Sequence, residues 1–399
     1  MNDNRDLHLR QPVVAAFGEW SETNIGDHAI HEGVLHFFAE CGWRVRCYDF
    51  GALRPSAGPR PGVTADRAPD AFDLRASLAA VPAAKRLVRG WRQQFLIKRL
   101  LPQLVQCDAI CVGGGALLMD SNLHFPQSLA ALTWAARRLR KPLLCLGCSA
   151  EGHWSWRGRG IVREFVDLCD FIAVRDRASA RRIAQLAQRE VPVFGDFALA
   201  PGLVQPPDAA GRRYLLAVNV SHVPAAQGDL QQRYEDGVVR LVQRVLERAP
   251  GAKAALFTTG TAQDLAPAAR VLGRLAASGV ELHPGRSLDQ LRGLMRDSCA
   301  VVATRLHAAI IGLAQGVPVI GYSATPKLGN FFDTLDLGRH SFTVDDALAR
   351  IVAELQRLLR AGPQLPTPAC AALEQTRRAA RRFLEQVAQH SYLPEAAGL

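Results

Sequence analysis

The 399-residue chain has no run of eighteen apolar residues, and its amino terminus, Met1-Asn2-Asp3-Asn4-Arg5-Asp6, is polar. Those two lacks argue against a membrane-spanning helix and a secretory leader, so the expected location is the cytoplasm, with the inner face of the membrane as its variant. A second cysteine pair at zinc-site distance from Cys145-Leu146-Gly147-Cys148 is also missing, and Cys107 and Cys111 flank a buried-looking strand, so no metal is expected. The nine cysteines are odd in number and sit mostly in apolar runs, which reads as core thiols of a reducing compartment. No RNA- or DNA-binding motif accompanies the net charge of +11, which removes nucleic acid from the expected partners. Lysine is scarce beside arginine, and much of the positive charge reads as solvated surface.

What is present is alternation. Apolar content of 48% over this length suits two globular domains, each with its own core. Gln11 to Phe17 reads as a buried strand, followed by a Gly- and Asn-bearing loop and a helix from Asp27 with Ile30, Val34, Phe37 and Phe38 at helical spacing. Asp27 serves equally well as the cap of that helix or as a ligand contact. Arg44 to Phe50 is a second strand, and residues 51 to 70 a long loop without periodicity. Leu87, Trp91, Phe95 and Leu100 trace an apolar stripe through the basic stretch 85–100, which suits packing on the protein's own sheet or contact with an anionic membrane. Further strands end in Gly113-Gly114-Gly115, in the small-residue loop after Gly147, and in Arg175; for Arg175, an ion pair with Asp176 or Asp196 is the plainer alternative.

After a Pro- and Gly-bearing linker, Pro201 to Arg212, the strand–helix pattern restarts. The expected architecture is α/β: two doubly wound Rossmann-like domains, residues 11–203 and 213–368, with a cleft between them and a helix over 369–392 packing back on the first domain. The chemically loaded corner lies in the second half. Thr304-Arg305-Leu306-His307 falls between the apolar run 299–303 and a helix, where unpaired N–H groups and the positive end of the helix dipole favour an anion. Lys327 ends the loop 323–327 ahead of a helix-like stretch, Leu328 to Leu335, a place that suits contact with a phosphate or plain exposure.

Several motifs together resemble the polysaccharide pyruvyl transferases. They are Asn24-Ile25-Gly26-Asp27-His28-Ala29-Ile30, Gly113-Gly114-Gly115, Val174-Arg175-Asp176 with Ser179, Gly195-Asp196 with Leu199, and Arg305-Leu306-His307 with Gly316-Val317-Pro318 and Tyr322 to Lys327. The resemblance implies a two-domain glycosyltransferase-B arrangement and transfer of the enolpyruvyl unit of phosphoenolpyruvate to sugar hydroxyls, giving a pyruvate ketal and phosphate. It implies phosphoenolpyruvate as co-substrate with no further cofactor, and a sugar acceptor of an exopolysaccharide, a cell-wall polymer or a lipid-linked precursor. His307 becomes the expected general acid and Arg305 its catalytic partner. Arg175, Asn24, Gly26, Asp27, Gly113, Gly114, Gly115, Leu306 and Lys327 become the expected substrate-binding residues. Two other readings stand beside it: a nucleotide-sugar glycosyltransferase on the same fold, and a non-catalytic component of a polysaccharide assembly complex.

Overall fold

The computed structural model describes residues 10–20, 24–56, 82–120, 125–199, 211–223, 229–275, 279–362 and 365–391, with the backbone alone for 82–92 and 390–391. The first half runs β1 (Val13–Gly18), α1 (Ile25–Glu40), β2 (Arg44–Asp49), β3 (Arg54–Pro55), α2 (Pro82–Leu104), β4 (Ala109–Gly113), β5 (Leu118–Met119), α3 (Phe125–Leu139), β6 (Leu143–Cys148), β7 (Ala150–Glu151), α4 (Trp156–Leu168), β8 (Phe171–Val174) and α5 (Arg177–Ala187). The second runs β9 (Leu216–Asn219), α6 (Leu230–Glu247), β10 (Ala254–Phe257), α7 (Leu265–Leu275), β11 (Val280–His283), α8 (Leu288–Arg296), β12 (Val301–Ala303), α9 (Leu306–Ala314), β13 (Val319–Ser323), α10 (Pro326–Thr334), β14 (Ser341–Thr343) and α11 (Leu348–Ala361). A long last helix, α12 (Pro368–Ser391), follows.

Each half builds a six-stranded sheet, ordered β3-β2-β1-β4-β6-β8 and β11-β10-β9-β12-β13-β14. Every pairing in the two sheets is parallel except β2 with β3. Helices cover both faces of such sheets, which explains why the strands read as unbroken apolar runs rather than as alternating ones. In β1, Val13, Ala15 and Phe17 join one core cluster while Val14 and Ala16 join another on the opposite face. The strand order reverses between β1 and β4 in the first sheet and between β9 and β12 in the second, and crevices at such reversals are where α/β sheets take ligands.

The C-terminal helix α12 crosses back to the first sheet. Ala380 and Leu384 are fully buried with Phe37, Phe38, Phe194 and Phe197, and Arg381 reaches Glu40 at 3.0 Å. Arg377, 4% exposed, donates to the carbonyls of Phe194 (3.2 Å), Asp196 (2.8 Å) and Leu199 (3.1 Å). Arg377→Ala leaves three buried carbonyls without that donor. It is expected to cost about 3 kcal/mol in denaturant unfolding.

The halves also meet directly. Arg292 of α8 forms a forked pair with Glu32 of α1 at 2.9 and 3.1 Å, and Arg177 of α5 reaches the Asp333 carbonyl and the Asp336 carboxylate, each at 2.7 Å.

Some expectations shift. Of the stripe expected over 85–100, Leu100 is buried, together with Ile97 and Leu104 at helical spacing, whereas Phe95 is 59% exposed. Leu87 and Trp91 have no described side chains, and most of the loop 51–70 and of the linker 201–212 lies outside the described residues. No helix among the described residues is long and apolar enough to cross a membrane. All nine cysteines are free thiols, and burial pushes Cys111 and Cys169 well above the ordinary thiol range.

Candidate active site

A cavity of about 360 Å³ opens between the sheets at the reversal point of the second one. It is lined by Asn24 from the first half and by Thr304, Arg305, Leu306, His307 and Lys327 from the second, with Ser221, Thr259 and Ser323 among the polar groups around them. Two helices, α9 and α10, begin at this cavity, so their free N–H groups and dipoles add to the charge of Arg305 and Lys327.

Arg305 is the N-cap residue of α9 in an extended conformation (φ −101°, ψ 145°). Its own N–H is held by Asn219 Oδ1 at 2.9 Å, and Thr304 Oγ1 ties to the same oxygen at 2.9 Å and to Ser221 Oγ at 3.1 Å. These bonds fix the end of β12 against the end of β9. The guanidinium is set by Asp264, fully buried, which takes Nε at 2.7 Å and Nη2 at 2.5 Å. That fork leaves the Nη1 edge of a one-third-exposed side chain as the donor available to the cavity.

His307 lies one residue into α9, with 17% of its side chain exposed. Burial lowers its pKa to about 4; Asp196 opposes the shift, and the cations Arg175, Lys327 and Arg305 add to it. The unliganded imidazole is therefore neutral at pH 7. Gly26 is required for its placement, because a Cβ there would overlap the His307 ring. Gly26→Ala favours α1 by about 1 kcal/mol in helix propensity. It is nevertheless expected to lose about 1–3 kcal/mol of stability by overpacking, together with activity, in paired unfolding and turnover measurements.

Arg175 does not line the cavity and keeps beside it the two carboxylates of its plainer reading, Asp176 and Asp196. Its side chain is 6% exposed and lies behind the cavity wall, with Nη2 on Ser149 Oγ (2.7 Å) and Glu151 Oε1 (3.1 Å), and Asp176 and Asp196 at 3.7 and 3.8 Å. Glu151 also pairs with Lys327, so one carboxylate links a cation of each half across the cleft. Burial alone would raise the Glu151 carboxyl, but Lys327, Ser149 and Arg175 hold it below the usual carboxylate range.

Asn24, rather than Asp27, caps α1: its Oδ1 accepts the Gly26 N–H at 3.0 Å, while the Ile25 N–H crosses to the Thr259 carbonyl at 3.1 Å. Asp27 sits in the first turn, where a carboxylate suits the dipole. Of the three glycines, Gly114 answers a packing need and Gly115 a backbone one. Gly114 and Gly115 adopt φ of 75° and 78°, a Cβ at Gly114 would overlap Ile30, and one at Gly113 would meet Phe197 at 3.4 Å. None of the three lines the cavity.

Sequence reasoning assigned no role to Asn219, Asp264 or Glu151. Only Asn219 left a trace, as a lone amide in the run Leu215-Leu216-Ala217-Val218-Asn219-Val220. Among the described residues no cluster of His, Cys, Asp and Glu is arranged to hold a metal ion.

Two parallel-sheet Rossmann-like halves with a ligand cavity between them make this a glycosyltransferase-B fold. The UDP-GlcNAc 2-epimerase of Neisseria meningitidis bound to UDP-GlcNAc is similar at TM-score 0.57 and 11% identity, over 94% of this chain and 100% of that one. The corresponding enzyme of Methanocaldococcus jannaschii gives 0.58 and 9%, over 94% and 99%. An α,α-trehalose 6-phosphate synthase of Burkholderia multivorans gives 0.51 and 13%, over 98% and 99%. At such identities the likeness is one of fold. A family model for polysaccharide pyruvyl transferases matches residues 24–325, and the chain belongs to that family. Among curated proteins none matches it in sequence.

Proposed function

We propose that this chain is a ketal-forming pyruvyl transferase that moves the enolpyruvyl unit of phosphoenolpyruvate onto hydroxyls of a sugar in a polysaccharide or lipid-linked glycan precursor, releasing phosphate. The observation that carries the reading is the convergence of Arg305, His307 and Lys327, on the first turns of two helices, around one cavity. Phosphoenolpyruvate brings a carboxylate and a phosphate, which suit the open edge of Arg305, the Lys327 ammonium and the helix N-termini. Its methylene carbon must gain a proton, and His307 is the titratable group placed to supply it. Arriving negative charge offsets the cations that add to burial in keeping His307 neutral, and favours the imidazolium. No cofactor beyond phosphoenolpyruvate enters this scheme.

The acceptor end has less to constrain it. A lipid-linked acceptor would bring the protein to the inner face of the membrane from the cytoplasm, with the basic helix α2 as the contact.

The deciding experiment measures phosphate released from phosphoenolpyruvate with and without a panel of lipid-linked sugars. Acceptor-dependent release supports the reading. Stabilisation against heat by UDP with none by phosphoenolpyruvate, and no phosphate release, would replace it with a nucleotide-sugar transferase.

A further inference from the structure

Behind His307 lies a pair of atoms to which the scheme above gives no work. His307 Nε2 and Asp196 Oδ2 are both sealed from solvent, neither has a hydrogen-bond partner, and they stand 3.8 Å apart. Asp196 is 1% exposed. Its other oxygen, Oδ1, accepts the Ala198 N–H at 2.9 Å, and its own carbonyl receives Arg377 Nη2 at 2.8 Å. The carboxylate therefore cannot turn away from the imidazole without losing the Ala198 bond. Arg175 Nη1 also stands 3.8 Å from Oδ2. A buried carboxylate oxygen near a guanidinium and an imidazole, bonded to neither, is costly unless one of them closes on it. The distance exceeds a hydrogen bond by about 1 Å, a gap that catalytic contacts in unliganded sites commonly close when substrate binds.

Resting on the pyruvyl-transfer reading, we infer that Asp196 is the positioning residue of His307: it receives the Nε2–H and so directs the Nδ1 side of the ring to the cavity as the proton-transferring atom. Nε2 is sealed from solvent, whereas Nδ1 lies on the ring edge that meets Gly26 at the start of α1, next to the cavity residue Asn24, which leaves Nδ1 as the nitrogen through which His307 can reach substrate. The charged groups acting on the ring are Asp196 after β8, Arg175 at the end of β8, Lys327 on α10 and Arg305 beside it. Asp196 alone among them favours the imidazolium.

The step balances as follows. The C2=C3 π pair of phosphoenolpyruvate takes the Nδ1 proton, forming a C3–H bond and a methyl group. C2, left electron-poor, is captured by one sugar hydroxyl, whose proton returns to the bare Nδ1. The second hydroxyl then displaces phosphate from C2, and its proton leaves with the phosphate. Throughout, Nε2–H stays on Asp196.

The test is Asp196→Asn in the full chain. Asparagine can keep the oxygen that accepts the Ala198 N–H, which places its NH₂ where Oδ2 stood, facing Nε2. Nε2 must then accept, and the neutral ring is driven to the Nδ1–H tautomer, which has no proton on the Asp196 side. Nitrogen-15 NMR of the imidazoles, with His307 assigned by its loss in His307→Gln, is expected to show Nε2–H in the wild type and Nδ1–H in the variant at neutral pH. In turnover, kcat is expected to fall by about 10²-fold or more, while KM for phosphoenolpyruvate stays within about threefold. An unchanged unfolding midpoint for the variant is part of the expected result. A wild-type ring already in the Nδ1–H form, or a variant with wild-type tautomer and kcat, overturns the inference. A tautomer swap in a protein that releases no phosphate from phosphoenolpyruvate would sustain the Asp196–His307 pairing and overturn the pyruvyl-transfer reading instead.

Discussion

His307→Gln is expected to lower phosphate release from phosphoenolpyruvate by roughly 10²- to 10⁴-fold, the range that a positioned general acid contributes. Glutamine is of similar size and can fill the space against Gly26, so the unfolding midpoint should stay close to that of the wild type. The effect belongs in kcat, because the imidazole's proton is used in the transition state rather than in binding. A companion measurement follows from the neutral state of the free ring. Its pKa of about 4 means that at pH 7 the proton has to be taken up as the anionic substrate arrives. Calorimetric binding of phosphoenolpyruvate in buffers of differing ionisation heat should then show uptake approaching about one proton in the wild type and less in His307→Gln. Near-normal turnover in the variant would remove His307 from the chemistry.

Arg305→Lys is expected to reduce kcat/KM for phosphoenolpyruvate roughly a hundredfold, mainly through KM. Under the pyruvyl-transfer proposal Arg305 serves two anions with one planar group: Asp264 takes Nε and Nη2, and the opposite edge is left for the substrate. A lysine ammonium can satisfy Asp264 or reach the ligand, but its single nitrogen cannot hold both in fixed geometry. Paired with the buried Asp264 carboxylate, it would withdraw from the cavity. Titration of thermal stabilisation by phosphoenolpyruvate gives a second readout, expected to vanish at concentrations that stabilise the wild type. Retention of kcat/KM within about threefold would exclude Arg305 as the anion's principal donor.

These two residues were legible because strand-to-helix corners are local features. Apolar runs, a helix start and the residues at the junction are encoded within about ten positions, and the corner at 304–307 formed where the pattern put it. Asn24 as a cavity residue was legible for the same reason. The cap of α1 was not, since Asn24 and Asp27, three positions apart, are both residue types that suit that role and the choice depends on where the chain enters. Gly113 to Gly115 marked a real sheet-edge turn, but sequence could not tell a turn that opens toward ligand from one shaped by Ile30 and Phe197. The buried surroundings of Arg175 were similarly out of reach beyond its two acidic neighbours, because Ser149 and Glu151 come from another strand end.

By itself, then, the sequence determined the alternation that yields two parallel sheets, the family, and the chemical identity of the corner carrying Arg305 and His307. Those depend on periodicity and on short motifs, which short-range sterics and backbone hydrogen bonding translate directly into structure. Tertiary structure alone decided which carboxylate serves which cation: Asp264 for Arg305, Glu151 between Arg175 and Lys327, and Asp196 facing His307. It also decided the protonation state of His307, since that follows from burial and from charges contributed by both halves of the chain. Pairings of this kind link residues far apart in sequence, and their energies follow distance and solvent exclusion, quantities that exist only once the two sheets have come together.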